Sequence, residues 1–305
     1  MAKTKILLAG GTGLIGQHIV SMLPEDQYEI HLLSRSQRED HGNIKYFQWD
    51  VINQTIDLKA LEVDHIINLT GASIADQRWT ASRKKTIIDS RVDSIRLLIK
   101  GLKEINHQVK SVASASAIGY YGDRSDEILI ESSEPGSGFL GECCLLWENA
   151  AKEFETVSQR TAILRVGIVL SNKGGALPKV LMTAPLRLLN YFGNGNQYYS
   201  WIHITDICRC FIKSILDDSY SGVFNAVTPL PLTNKDFTKK VGEGMGGGYA
   251  VLPAPAFGLR IALGQMADVV LNSNRVLPQQ LQDAGFKWNF PDLPEAIRHL
   301  RKAKI

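Results

Sequence analysis

The amino-acid sequence predicts an α/β fold: a doubly wound parallel Rossmann sheet with a smaller, mainly helical C-terminal substrate domain. Three observations carry this. Short aliphatic runs alternate with longer amphipathic stretches through the first half of the chain; four glycines follow the first of those runs; and from about residue 173 the alternation gives way to chain punctuated by Gly, Asn and Pro. Alternation of strand and helix patterns implies βαβ units, and such parallel sheets are covered on both faces.

The strand candidates are Lys5 to Ala9, Glu29 to Leu33, Lys45 to Trp49, His65 to Leu69, Ser111 to Ala115 and Ala162 to Leu170. Between them Leu14 to Leu23, Arg83 to Leu102 and Glu142 to Phe154 carry apolar residues at helical spacing. Further on, SNKGGALPK and FGNGNQ read as loops, Gly222 to Val227 as a strand and Leu252 to Leu271 as a proline-initiated helix. A terminal helix follows, with Pro294 near its first turn. The pattern divides into a nucleotide-binding unit, 1–172 with 198–229, and a discontinuous cap, 173–197 with 230–305.

At 305 residues the chain is long enough for two domains or one large α/β unit, taking roughly 150 residues per domain. A 44% hydrophobic and 21% charged composition excludes collagen, coiled coil and extended disorder. Lys and Arg total 34 against 31 Asp and Glu, and the basic stretches Arg83 to Lys85 and Arg298 to Lys304 are short. Nucleic-acid and anionic-membrane surfaces are therefore not expected, and the expected partner is a small-molecule substrate. No apolar run approaches the roughly 18 residues of a membrane span, and MAKTK leads straight into a strand-like run without a cleavable-signal pattern, so a cytoplasmic location is expected. Cys143-Cys144 and Cys208-x-Cys210 match no zinc or redox spacing; they read as buried thiols, with no metal site.

The chemistry begins with KILLAGGTGLIGQHIV, where Gly10, Gly11, Thr12, Gly13, Leu14, Ile15 and Gly16 lie between the first strand and the first helix. Both GxGxxG and GxxGxxG fit. Glycine serves a tight turn at positive φ, room for a pyrophosphate against the backbone, and close packing of helix on strand; the helix N-terminus then faces the phosphates. Glu29 has nearly the spacing of a ribose-binding acid, but it starts its strand and lies roughly 15 Å from the far end. That end reads Ser34-Arg35-Ser36 with Arg38 close by, and a guanidinium there suits a 2′-phosphate. NADP(H) is favoured, with NAD(H) left open.

Several segments together resemble the extended short-chain dehydrogenase/reductases, the NAD(P)-dependent epimerase/dehydratase family. They are GGTGLIG, Trp49-Asp50-Val51, NLTGA (Asn68 to Ala72), SASAIGYYG (Ser114 to Gly122) and YSWIHITD (Tyr199 to Asp206). The likeness is strongest to an atypical YfcH-like subgroup with its own C-terminal domain, through GASIADQRWT (Gly71 to Thr80), SRV (Ser90 to Val92), FLGECCLLWE (Phe139 to Glu148) and LPAPAFGLRIALGQMADVVL (Leu252 to Leu271). The resemblance implies adenine contacts from Asp50 and Val51, and a dinucleotide lining from Leu69, Thr70 and Gly71. It also implies that the Ser114 and Ser116 hydroxyls polarise a substrate carbonyl.

The family's Tyr-x-x-x-Lys pair is replaced here by Phe139 and Cys143, which supply neither proton nor cation. Catalysis then falls to Tyr120 or Tyr121, His203 or Arg78; otherwise the fold binds NADP without turnover, or binds no dinucleotide. His203 stands before Thr205-Asp206, a helix start, which favours a hydrogen-bonding role. Trp79, Arg83, Lys84, Ser90 and Arg91 read either as a cationic face toward cofactor or as a solvated helix. The expected activity is hydride transfer on a small hydroxy/carbonyl substrate, with Ser116 and Ser114 orienting the carbonyl and Tyr121 or Tyr120 donating the proton. A non-catalytic NADP-responsive binding protein is the alternative, and the reading allows a homodimer.

Overall fold

The computed structural model describes residues 2–302; Met1 and residues 303–305, with the end of the basic tail stretch, lie outside it. β1 (Thr4–Ala9), α1 (Leu14–Met22), β2 (Tyr28–Ser34), β3 (Ile44–Asp50), β4 (Thr55–Ile56) and β5 (His65–Asn68) open the chain. α2 (Ala81–Glu104), β6 (Ser111–Ala117), β7 (Ile128–Leu129), α3 (Gly138–Lys152) and β8 (Thr161–Val166) follow. The main sheet has the order β14-β8-β6-β5-β1-β2-β3-β4, where β14 is Gly222–Ala226; only the edge pair β3–β4 is antiparallel. Ile6, Leu7, Leu8 and Ala9 are fully buried, as expected of a central parallel strand covered on both faces. α2 and α3 pack against each other, as do α1 and α5 (Ile204–Leu216).

Three sequence expectations change. The run Ala162 to Leu170 forms β8 and a separate strand, β9 (Ile168–Ser171), because Gly167 interrupts it. A Cβ there would lie 2.6 Å from Val227 Cγ1 and 2.7 Å from the Ser200 carbonyl, so the chain bends where three segments meet. β9 leaves the main sheet to pair with β10 (Gly174–Gly175) and β13 (Trp201–His203). The glycine- and proline-rich stretches before β13 also hold α4 (Leu177–Val180), β11 (Leu188–Phe192) and β12 (Tyr198–Tyr199).

Beyond β14 come β15 (Leu232–Thr233), α6 (Asn234–Gly244) and β16 (Ala250–Ala254). α7 (Ala256–Leu263), α8 (Asp268–Leu271), β17 (Arg275–Val276), α9 (Gln279–Asp283) and α10 (Leu293–Lys302) complete the chain. Leu252 to Leu271 is thus not one helix. Its first residues pair with β11, and the helical part breaks at Gly264, whose φ of +60° a continuing helix cannot adopt. α10 buries Leu293, Ile297 and Leu300 against α6, and those side chains join the same buried cluster as Ile6 to Ala9. His203 caps α5: the Thr205 amide donates to its Nδ1 at 3.0 Å.

Candidate dinucleotide and active site

From β1 the chain builds outward through β2 and β3, then returns to place β5 on the other side of β1. The crevice at the carboxyl ends of β1 and β5 is therefore the topological switch point, where ligands of open α/β sheets bind. The glycine turn is built into it. Gly10 has φ +80°, and a Cβ on it would stand 2.9 Å from the carbonyl carbon of Leu69, so the turn and the Leu69–Gly71 loop touch. A Cβ on Gly16 would fall 2.5 Å from Gly11 Cα. Gly13 caps α1 with no side-chain hydrogen bond, and the first intrahelical bond is from the Gln17 amide to the Gly13 carbonyl at 2.9 Å. The amides of Leu14, Ile15 and Gly16 precede that bond and face the crevice mouth, where Thr12 and Gly13 are exposed. This cradle fits a pyrophosphate.

At the end of β2, the Ser34 hydroxyl is buried and accepts from the Ser36 amide, whereas Arg35 is exposed and forms no ion pair among the described residues. Arg38 instead lies over the Tyr46 ring at 5.7 Å. Asp50 folds its carboxylate into its own turn, accepting from the Asn53 and Ile52 amides at 3.0 and 2.8 Å, and those bonds hold it below the usual carboxylate range. Val51, beside it, is half-buried.

The Leu69–Gly71 loop is clamped from α2. Ser90 accepts from the Ala72 amide at 2.9 Å, Arg91 Nη1 donates to the Ala72 carbonyl at 3.0 Å, and Arg83 donates to the Ser73 carbonyl. Thr70 Oγ1 donates to Asn68 Oδ1 at 2.5 Å. The solvated-helix reading does not hold for Arg91, which is buried, lies over Trp147 at 4.7 Å and presses against Gly71. It holds the loop, and any cofactor contact comes from that position.

At the end of β6 the structure rearranges the catalytic candidates. Ser114 is fully buried and accepts from Asn68 Nδ2 at 3.2 Å. Ser116, also buried, donates to Glu148 Oε1 at 2.7 Å. Tyr121 is a correction. Its side chain is fully buried, its hydroxyl donates to Asn225 Oδ1 at 2.7 Å and accepts from Arg165 Nη1 at 2.8 Å, and burial pushes its pKa up to about 12. A hydroxyl so engaged is part of the core, not a proton donor to substrate. Tyr120, by contrast, is half-buried.

Sequence reasoning missed the pair that organises this end. Arg165 Nε and Nη2 donate to the two carboxylate oxygens of Glu148 at 2.8 and 2.9 Å, and both side chains are buried. The signal was present in AILRVGIVL, since an arginine inside an apolar strand requires a buried partner.

The family model described as NAD dependent epimerase/dehydratase family matches residues 6–226. The chain belongs to the NAD dependent epimerase/dehydratase family. It is 35% identical to Epimerase family protein SSP1921 of Staphylococcus saprophyticus, covering 96% of this chain and 98% of that one. It is 32% identical to Epimerase family protein ML0860 of Mycobacterium leprae, covering 97% and 95%. Among solved structures, human epimerase family protein SDR39U1 (isoform 2) with NADPH superposes with a TM-score of 0.86 at 25% identity, covering 99% of this chain and all of that one. A nucleoside-diphosphate sugar epimerase from Corynebacterium glutamicum gives 0.77 at 30% identity, covering 98% of this chain and 58% of the other. Residues 254–300 match a second model, a domain of unknown function (DUF1731).

In this epimerase/dehydratase chain Phe139 meets Trp79 edge-on at 4.8 Å, and Lys84 Nζ lies 4.9 Å from the Phe139 ring centre. Cys143 is buried in the same cluster, and burial pushes its thiol up, away from thiolate. All four cysteines are free and buried, and among the described residues no group of three or more His, Cys, Asp or Glu could hold a metal. Among the described residues no helix is long and apolar enough to cross a membrane.

Arg78 is one of the side chains that link the epimerase/dehydratase part to the C-terminal part. Its Nη2 donates to the Ile261 and Ala262 carbonyls at 2.7 Å each, and its Nε to Ala262 at 3.1 Å, closing the C-terminal end of α7. α7 buries no residue of its own. Arg78→Ala is therefore expected to raise amide exchange across 256–263 at least about tenfold, since an opening energy falls by about 1.4 kcal/mol per tenfold. Hydrogen-exchange mass spectrometry checks this; unchanged exchange there would show that Arg78 does not hold the helix.

Proposed function

We propose that this chain binds NADP(H) in the β1–β5 crevice and acts as an oxidoreductase or epimerase on a small hydroxy/carbonyl compound, without a Tyr-x-x-x-Lys pair. The observation that carries the reading is the glycine cradle pressed on Leu69 at the switch point. Gly10 to Gly16 hold the diphosphate, Arg35 the 2′-phosphate, and Leu69 to Gly71, clamped by Ser90 and Arg91, line the cofactor. NADPH in the SDR39U1 structure supports the choice of coenzyme. When bound, nicotinamide supplies a hydride donor or acceptor. The C-terminal unit, fastened by Arg78, closes the substrate cleft, and Tyr120 takes the proton role. Four unpaired cysteines suit a reducing, cytoplasmic setting.

Arg35→Ala is expected to weaken NADPH binding roughly tenfold to a hundredfold, as loss of a charged hydrogen bond does, and to leave NADH binding unchanged. Equal NADPH affinity in titration calorimetry would defeat the 2′-phosphate assignment. A second reading, an NADP-responsive protein without turnover, is favoured by Phe139 and Cys143 and by the engaged hydroxyls of Ser116 and Tyr121. NADPH consumption across a broad carbonyl panel separates the two.

A further inference from the structure

At the carboxyl end of β6 four hydroxyls were candidates, and the structure engages three of them inside the protein. Ser114 faces Asn68, Ser116 faces Glu148, and Tyr121 sits between Arg165 and Asn225. Tyr120 is the half-exposed one, and Arg165 comes closer to its ring than to that of Tyr121, 3.5 against 5.0 Å. The Arg165 guanidinium lies over the Tyr120 ring, with Cζ 3.5 Å from the ring centre. That is closer than any other cation–ring pair in the described residues. Arg165 cannot drift from this position, because its Nε and Nη2 are forked onto Glu148 and its Nη1 donates to the Glu131 carbonyl at 3.0 Å. A planar guanidinium held by a carboxylate fork is a pre-organised charge rather than a mobile one.

We propose that Tyr120 is the proton-donating residue of the cleft and that Arg165, anchored by Glu148, is the positioning residue that fixes its ring and stabilises its phenolate. The inference rests on the proposed oxidoreductase function and deepens it. As a substrate carbonyl carbon accepts a hydride from the reduced pyridine dinucleotide, the C=O π pair becomes an oxygen lone pair. The Tyr120 phenolic proton bonds to that oxygen and leaves a phenolate, which water reprotonates. Both electrons come from the coenzyme, and the one proton added to the substrate comes from Tyr120, which solvent then reprotonates. The charged groups facing Tyr120 are Arg165 from β8, Glu148 from α3 and Glu134 from the loop before α3. Burial, Glu148 and Glu134 favour the neutral phenol and Arg165 favours the phenolate, so Tyr120 remains protonated, as a donor, until the alkoxide forms.

The test uses the full chain with Tyr120→Phe and Arg165→Lys, the latter retaining a cation for Glu148 while withdrawing the planar group from the ring. Tyrosinate absorbance, titrated without coenzyme, gives the Tyr120 ionisation as the difference between wild type and Tyr120→Phe. It is expected to move up by about one pH unit in Arg165→Lys. A step that does not move overturns the role of Arg165. With NADPH and a carbonyl panel, Tyr120→Phe is expected to lose about a hundredfold or more in kcat at unchanged NADPH affinity and Tm, the range of a lost general acid. Retained turnover in Tyr120→Phe overturns this inference alone, whereas absence of turnover in the wild type overturns the proposed function and the inference with it.

Discussion

Arg165→Ala is expected to lower the unfolding free energy by about 3–5 kcal/mol, the cost of leaving one member of a buried ion pair uncompensated. The Glu148 carboxylate would remain 3% exposed with its forked partner gone. Tyr121 would lose the donor to its hydroxyl, and the Glu131 carbonyl its partner. Urea denaturation measures the effect, and a loss below about 1 kcal/mol would show that water replaces the pair without difficulty. Replacing both residues at once, Arg165→Met with Glu148→Leu, is expected to recover most of the loss, since two apolar side chains leave no stranded charge. Recovery would show that the pair is not needed for stability.

Gly16→Val is expected to abolish coenzyme binding, here a fall of at least about a hundredfold, or ~2.7 kcal/mol. A Cβ at this position meets backbone: Gly11 Cα at 2.5 Å, its carbonyl oxygen at 2.6 Å and its carbonyl carbon at 2.7 Å. No side chain can move aside, so α1 must shift from the turn and carry the amides of Leu14 and Ile15 with it. Gly258→Ala is the control: a Cβ there meets nothing within 4 Å, and its helical position makes alanine neutral to mildly stabilising. Calorimetric titration of both variants with NADPH checks the pair, and wild-type affinity in Gly16→Val would remove the cradle from the account.

What could be read from the sequence follows a physical division. The main-sheet strands were legible because a strand buried on both faces must be apolar throughout, as Ile6 to Ala9 are. The glycine turn was legible because its requirement is local: positive φ at Gly10 and backbone contact at Gly16 admit nothing larger. Gly167 was not, since the side chain it excludes would collide with Val227 and Ser200, residues distant in sequence. For the same reason the Glu148–Arg165 fork could be suspected from a charge in an apolar strand but not paired. Tyr120 and Tyr121 were indistinguishable as neighbours in one motif; burial and the Asn225 contact, 104 residues away, separate them. α6 was not singled out in the sequence, although Thr233, which accepts from the Asp236 amide at 3.2 Å, stands as an N-cap at its start.

Titration of the purified wild-type chain with NADPH, followed by calorimetry and by thermal unfolding, tests the cradle most directly. Saturable heat at one coenzyme per chain is expected and, at a ligand concentration of about 100 Kd, roughly 2.7 kcal/mol of added stability. No heat and no rise in Tm with either NADPH or NADP⁺, at millimolar coenzyme, would contradict it.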